Sequence, residues 1–217
     1  MHTITFFKEV HLGGLVLRDP VTAITNVFIF LAGLWCWRRL RGREEAYVRS
    51  WRLFFLFLGI PGLIGVIVHG FSYYTSEQAH LWIWLGMGII QNLGISFAQI
   101  GTVQHYFPKQ RTWLIALVLL QFVLLSYFFV HLAMYKAAKW HVAIGLLPVM
   151  GWSFYQWAKG NRAARWIALG IAVSGITVAV HSFKISISEQ WFNYNDIAHF
   201  LIVASLLLMV RAFLPEE

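Results

Sequence analysis

Asp19, His69, His80, His181, Asp196 and His199 stand at the ends of otherwise apolar segments. An ionisable side chain beside lipid is costly and is usually kept where it works. Imidazole nitrogen and carboxylate oxygen are both zinc donors, and a catalytic zinc takes three protein ligands and a water. Such a water loses its proton near neutral pH and becomes a nucleophile. A carboxylate or amide behind each imidazole orients it. These residue types point to a metal, with His69, His80 and His199 the candidate ligands. Asp19 and Asp196 are then the catalytic carboxylates, which orient a ligand or shuttle a proton.

Local spacing supports the grouping. Asp19 precedes Pro20, which suits a first helical turn and makes Asp19 a natural cap. Asn26 follows seven residues later and shares a helix face with Thr22 and Asp19. His69 closes an apolar run, and His80 opens the next one eleven residues on, so the two helices are antiparallel neighbours with histidines at similar depth. Asn195, Asp196 and His199 are spaced three and four apart and face one direction. A cap accounts for Asp196 through the helix dipole; His199 lies a turn deeper, where no cap is needed. His131, His141 and His181 fall on the same side and read first as interfacial residues.

The elements that must position these groups are membrane helices. The chain has 217 residues, of which 59% are hydrophobic and 12% charged, and its mean hydropathy is +0.65. That is too apolar for a soluble domain. Seven continuous apolar segments, about 20–37, 51–71, 79–100, 112–131, 140–158, 163–183 and 195–213, each approach the roughly 20 residues a spanning helix needs. Barrel strands would alternate instead. The fold class expected is all-α: a single seven-helix transmembrane domain over residues 1–217. The first 19 residues lack a basic start and a cleavage site, so they read as a short interfacial segment carrying Phe6, Phe7, Leu12, Leu15 and Leu17, not as a signal peptide.

Orientation follows from the basic residues. Arg38, Arg39, Arg41, Arg43, Arg49, Arg52, Lys109, Arg111, Lys159, Arg162, Arg165 and Arg211 fall on one side. Lys8, Arg18, Lys136, Lys139 and Lys184 fall on the other. The richer side is expected to be cytoplasmic, with the N-terminus outside and the C-terminus inside. Topology and anionic lipid then explain the net charge of +8, and nucleic acid is not expected as a partner. The single cysteine, Cys36, excludes an intrachain disulfide and reads as packing. Short loops fit a cell inner membrane or plasma membrane.

At this point the residues resemble a family. The pattern is similar to the superfamily of alkaline ceramidases, adiponectin-type (progestin and adipoQ) receptors and post-GPI-attachment lipid-remodelling proteins. The resemblance rests on the helix count, the orientation and three short motifs. Asp19 to Asn26 matches an acidic residue followed seven positions on by Asn. His69 matches the histidine of Ser-x-x-x-His in the second helix. His199 matches the second histidine of His-x-x-x-His in the last. The resemblance implies a seven-helix hydrolase with a zinc site near the membrane face and a lipid amide or ester as substrate. Three positions depart from the pattern. Gly65 stands where the family has serine, His80 where the third helix has aspartate, and Asn195 where the last helix has its first histidine. His80 or Asp196 is then the replacement ligand.

The reading carried forward is a zinc-dependent hydrolase of a membrane lipid. A receptor-like or accessory seven-helix protein without metal competes with it, favoured by Gly65 and the altered ligand positions. Haem held by His69 with His181 or His199 is a third reading. Retinal is not expected, because the last helix has no lysine for a Schiff base. Gln91, Asn92, Ser96, Gln99 and Gln121 read as bonds between helices, with a polar transport path as the alternative.

Overall fold

The computed structural model describes residues 8–132 and 135–215, the side chains of 132 and 135–139 excepted. Seven helices follow one another: α1 (Pro20–Arg39), α2 (Ala46–Gly70), α3 (Glu77–Tyr106), α4 (Arg111–Leu132), α5 (Tyr135–Ala158), α6 (Arg162–Phe183) and α7 (Tyr194–Val210). The fold is helical, as expected. Among the described residues six helices are long and apolar enough to cross a membrane: α1, α2, α3, α4, α6 and α7 extended to Phe213. The chain is a multi-pass membrane protein.

The N-terminal segment departs from expectation. Phe6 and Phe7 lie outside the described residues. From Glu9 the chain forms a two-stranded antiparallel hairpin, β1 (Glu9–Leu12) and β2 (Leu15–Arg18), with Glu9 opposite Arg18. Gly13 turns it at φ 60°, a left-handed conformation glycine adopts without strain. Arg18 Nε donates to Glu9 Oε1 at 2.6 Å. Alternating side chains and a Gly13-Gly14 turn favour the ladder.

The helices pack in chain order around the bundle, α1 on α2, α2 on α3 and so on to α7, which returns to α1; α3 also meets α5. Glycines set the closest approach. A Cβ on Gly33 would sit 2.6 Å from the Gly59 Cα and 2.7 Å from the Phe55 carbonyl oxygen, so α1 and α2 touch backbone to backbone. Small residues allow this in lipid, where packing rather than hydrophobic burial drives association. The apolar core lies towards the arginine-rich end. Trp51, Phe54, Phe55, Leu206 and Phe213 pack there with Cys36, which is fully buried as its packing role requires. The opposite end of the bundle is polar.

Candidate functional site

Each helix contributes to the polar end by its direction. α1, α3 and α7 begin there, while α2 and α6 end there, so Asp19, His80, Asp196, His69 and His181 arrive from five helix termini. Asp19 sits in the left-handed region at φ 45° and ψ 56°, an unusual conformation for a residue other than glycine. It occupies the cap position of α1, but its side chain makes no capping bond. The Lys8 backbone N–H donates to Asp19 Oδ1 at 3.2 Å, and the Asp19 N–H donates to the Lys8 carbonyl at 2.8 Å. Oδ2 faces His69 Nδ1 at 3.9 Å. The sequence reading of Asp19 as a cap holds for its position; its carboxylate is turned to the histidine. Strained backbone of this kind gathers at functional sites.

His199 is held from behind. Its Nδ1 lies 2.8 Å from Thr25 Oγ1, and Thr25 Oγ1 lies 3.3 Å from Asp196 Oδ1. A carboxylate only accepts; with the Thr25 hydroxyl donating to Asp196, the same hydroxyl accepts from His199 Nδ1–H in the tautomer protonated there. That relay leaves a lone pair on His199 Nε2. The hydroxyl also approaches the Thr22 carbonyl at 3.0 Å, a competing acceptor on its own helix. Asp196 is fully enclosed. The Asn193 N–H donates to its Oδ2 at 2.8 Å, closing a capping box at the start of α7, and Thr22 adds a further hydrogen bond. Asp196 is therefore both the cap and the group behind His199. Neither threonine was singled out as a partner of His199 from sequence; Thr22 and Thr25 lie three apart on the Asp19–Asn26 face, and that spacing was the available signal.

His69 and His199 face one another edge to face, ring centroids 6.4 Å apart. The His69 side chain is 23% exposed, and its Nδ1 finds no hydrogen-bond partner. His80 is buried within electrostatic reach of His69, with its Nε2 unpartnered. His181 lies within reach of His199 and packs its ring 5.3 Å from Tyr194. The structure thus brings Asp19, His69, His80, Asp196 and His199 to one place. His141 and His131 stand apart: His141 turns to α3, and His131 stacks on Tyr127.

The Gly65 departure has a local cause. A Cβ at Gly65 would run into the carboxamide of Asn26, whose Nδ2 donates to the Thr22 carbonyl at 2.9 Å. Asn26 takes the space a serine at position 65 would need.

A catalytic zinc site needs three protein ligands around one point. Among the described residues no group of three His, Cys, Asp or Glu side chains could hold a metal ion. Asp196 has both oxygens engaged, and Asp19 stands behind His69. The donor types fit zinc; the placement of His69, His80 and His199 does not close around it. The hairpin covers part of this end: the Val16 N–H donates to Tyr74 Oη at 2.7 Å, and Lys8 Nζ lies 3.1 Å over the Trp191 ring.

Comparison with known proteins gives a family without an assigned role. The chain matches a family of unknown function, DUF6962, over residues 21–215, and belongs to it. No curated protein matches it, and no solved structure does.

Proposed function

We propose that this chain is a seven-span membrane protein, N-terminus outside and C-terminus cytoplasmic, that hydrolyses a lipid amide or ester at the extracytoplasmic leaflet of a cell inner membrane or plasma membrane. The observation that carries the reading is the relay from Asp196 through Thr25 to His199, set opposite His69 and Asp19. An imidazole with its inner nitrogen fixed presents the other as a general base. Water gives a proton to His199 Nε2 while its oxygen adds to the carbonyl carbon. As the C–N or C–O bond breaks, protonated His69 gives a proton to the leaving nitrogen or oxygen. The proton on His199 then returns to His69 through solvent at the half-open face. Asp19 Oδ2, 3.9 Å from His69 Nδ1, faces that ring in this cycle. Bound zinc would polarise the carbonyl and acidify water. The three histidines do not close around one point among the described residues, so the imidazoles alone carry these steps.

The test is fatty-acid release from amide- and ester-linked lipids in vesicles carrying the purified chain. His199→Ala should lower release by roughly a hundredfold or more, the usual worth of a general base. Elemental analysis runs beside it. About one zinc per chain, lost in both His69→Ala and His199→Ala, would mean that the ligands close around a metal when it binds.

A second reading is an accessory or receptor-like protein. The satisfied state of Asp196, capped and doubly bonded by threonines, favours it. Wild-type protein that releases nothing from either lipid class and binds no metal would establish it over hydrolysis.

A further inference from the structure

A second set of polar groups lies inside the bundle, away from the His69–His199 end. Asn92, Ser96 and Gln99 fall four and three apart on one face of α3. Ser96 Oγ donates to the Asn92 carbonyl at 3.1 Å. Gln99 and Gln121 of α4 exchange two hydrogen bonds of 3.3 Å, so for this pair the expected bond between helices is what forms.

Asn92 behaves differently. It is 1% exposed, yet among the described residues neither its Oδ1 nor its Nδ2 meets a partner. His141 of α5 is fully buried beside it, its Nε2 3.1 Å from the Asn92 backbone oxygen. A carbonyl oxygen only accepts, so Nε2 carries the ring proton and Nδ1 keeps a lone pair. That Nδ1 is also without a partner. Two acceptors and one donor therefore belong to a residue pair in contact across α3 and α5. The Phe122 ring stands 6.4 Å from His141, and at Gly145, one turn along, the Ile95 side chain packs beside the Gln99 and Gln121 carboxamides. Leaving three such atoms unbonded in an apolar interior is strongly disfavoured, and buried polar groups are normally satisfied by protein or water.

We infer that Asn92 and His141 frame an internal water-binding site between α3 and α5. One water donates to His141 Nδ1 and Asn92 Oδ1 and accepts from Asn92 Nδ2, the three bonds typical of a buried water. The Gln99–Gln121 pair lies one to two turns further along α3. Through Gln121 it reaches an otherwise apolar groove of about 350 Å³ between α4 and α5, lined by Leu117, Leu120, Leu124, Phe128 and Ile144. The site gives the bundle a proton acceptor independent of the proposed hydrolytic centre.

Radiolytic hydroxyl-radical labelling of the full chain in lipid nanodiscs tests this, because bound water generates the radical beside the residue it touches. His141 should label about tenfold faster than Phe129, a core residue equally cut off from solvent, if a buried water is held there. Asn92→Leu should bring His141 down to the Phe129 rate; Asn92→Ala serves if that variant does not fold. Wild-type His141 labelling no faster than Phe129 would overturn the inference. So would a His141 rate unchanged by loss of the carboxamide.

Discussion

Thr25 joins a carboxylate on α7 to a histidine on the same helix through a hydroxyl on α1. It touches no substrate in the proposed chemistry, so it is a positioning residue. Thr25→Val keeps the volume and removes the hydroxyl. The expected outcome is a 10–100-fold loss in kcat with KM little changed, the range seen when the group behind a working imidazole is lost. Thr25→Ser should restore most of it, which a purely structural role for the methyl group would not predict. Gly65 makes a second prediction at this scale. Gly65→Ser places a Cβ against Asn26 and should destabilise by about 1–3 kcal/mol, as overpacking does. Thermal unfolding of Gly65→Ser, Asn26→Ala and the double variant measures the coupling; a double variant no less stable than Asn26→Ala alone is the expected result.

Between helices, what matters is how closely backbones approach. Gly33 and Gly59 let α1 and α2 touch, and no rotamer change can make room for a side chain there. Gly33→Leu should abolish the folded, monodisperse protein in size-exclusion chromatography. α4 is the contrast. Val123 is 59% exposed on a helix that packs loosely, and lipid is as apolar as the side chain it meets. Val123→Ala should change stability by no more than about 0.5 kcal/mol, the usual scale for a surface change. The α1–α2 loop is tied down by charge. Arg43 Nη2 donates to Glu45 Oε1 at 2.7 Å, and Nη1 donates to the Phe213 carbonyl at 3.0 Å. The bond from Arg43, with its charge, holds the Glu45 carboxyl down at about 2. A carboxyl depressed on folding adds stability above its ordinary value near 4.5 and loses it as pH falls towards 2. Arg43→Ala should return the Glu45 titration to the ordinary carboxylate range, read by NMR.

For the whole molecule, the question is on which side each end emerges. α5 is not among the six helices that meet the apolar criterion. It has 24 residues, about 36 Å at 1.5 Å per residue, enough to span. It also packs along α3, α4 and α6 as a bundle member. With seven spans the two termini lie on opposite sides; with six they lie on the same side. In the proposed orientation, which rests on the arginines concentrated at the other end of the bundle, the polar end lies outside. A fluorescent-protein fusion after residue 215 should therefore glow, and alkaline phosphatase fused after residue 186 should be active. Both reporters silent would mean that the two ends of α7 have exchanged sides, as they do if α5 does not cross.

Composition and hydropathy alone were enough for a helical membrane bundle, because a run of about 20 apolar residues has few other stable states in lipid. The meeting of Asp19, His69, His80, Asp196 and His199 was legible for a related reason. Helices of fixed rise, joined by short loops, bring alternate ends to one side whatever their packing. The depth and facing of each ring were not legible, since these depend on helix rotation and crossing, which depend on contacts far apart in the chain. Gly65 against Asn26 is one such contact, and Thr25 between Asp196 and His199 is another. The β1–β2 hairpin was missed because its few residues carry a weak periodic signal. His141 looked interfacial from its place near a helix start, and only the packing of α5 on α3 turned it inward to Asn92. Residue types and spacing named the chemistry available at the polar end. Tertiary packing alone decided that the carboxylates stand behind the histidines instead of joining them around a metal, because angstrom-scale placement arises from side chains pressed together across helices.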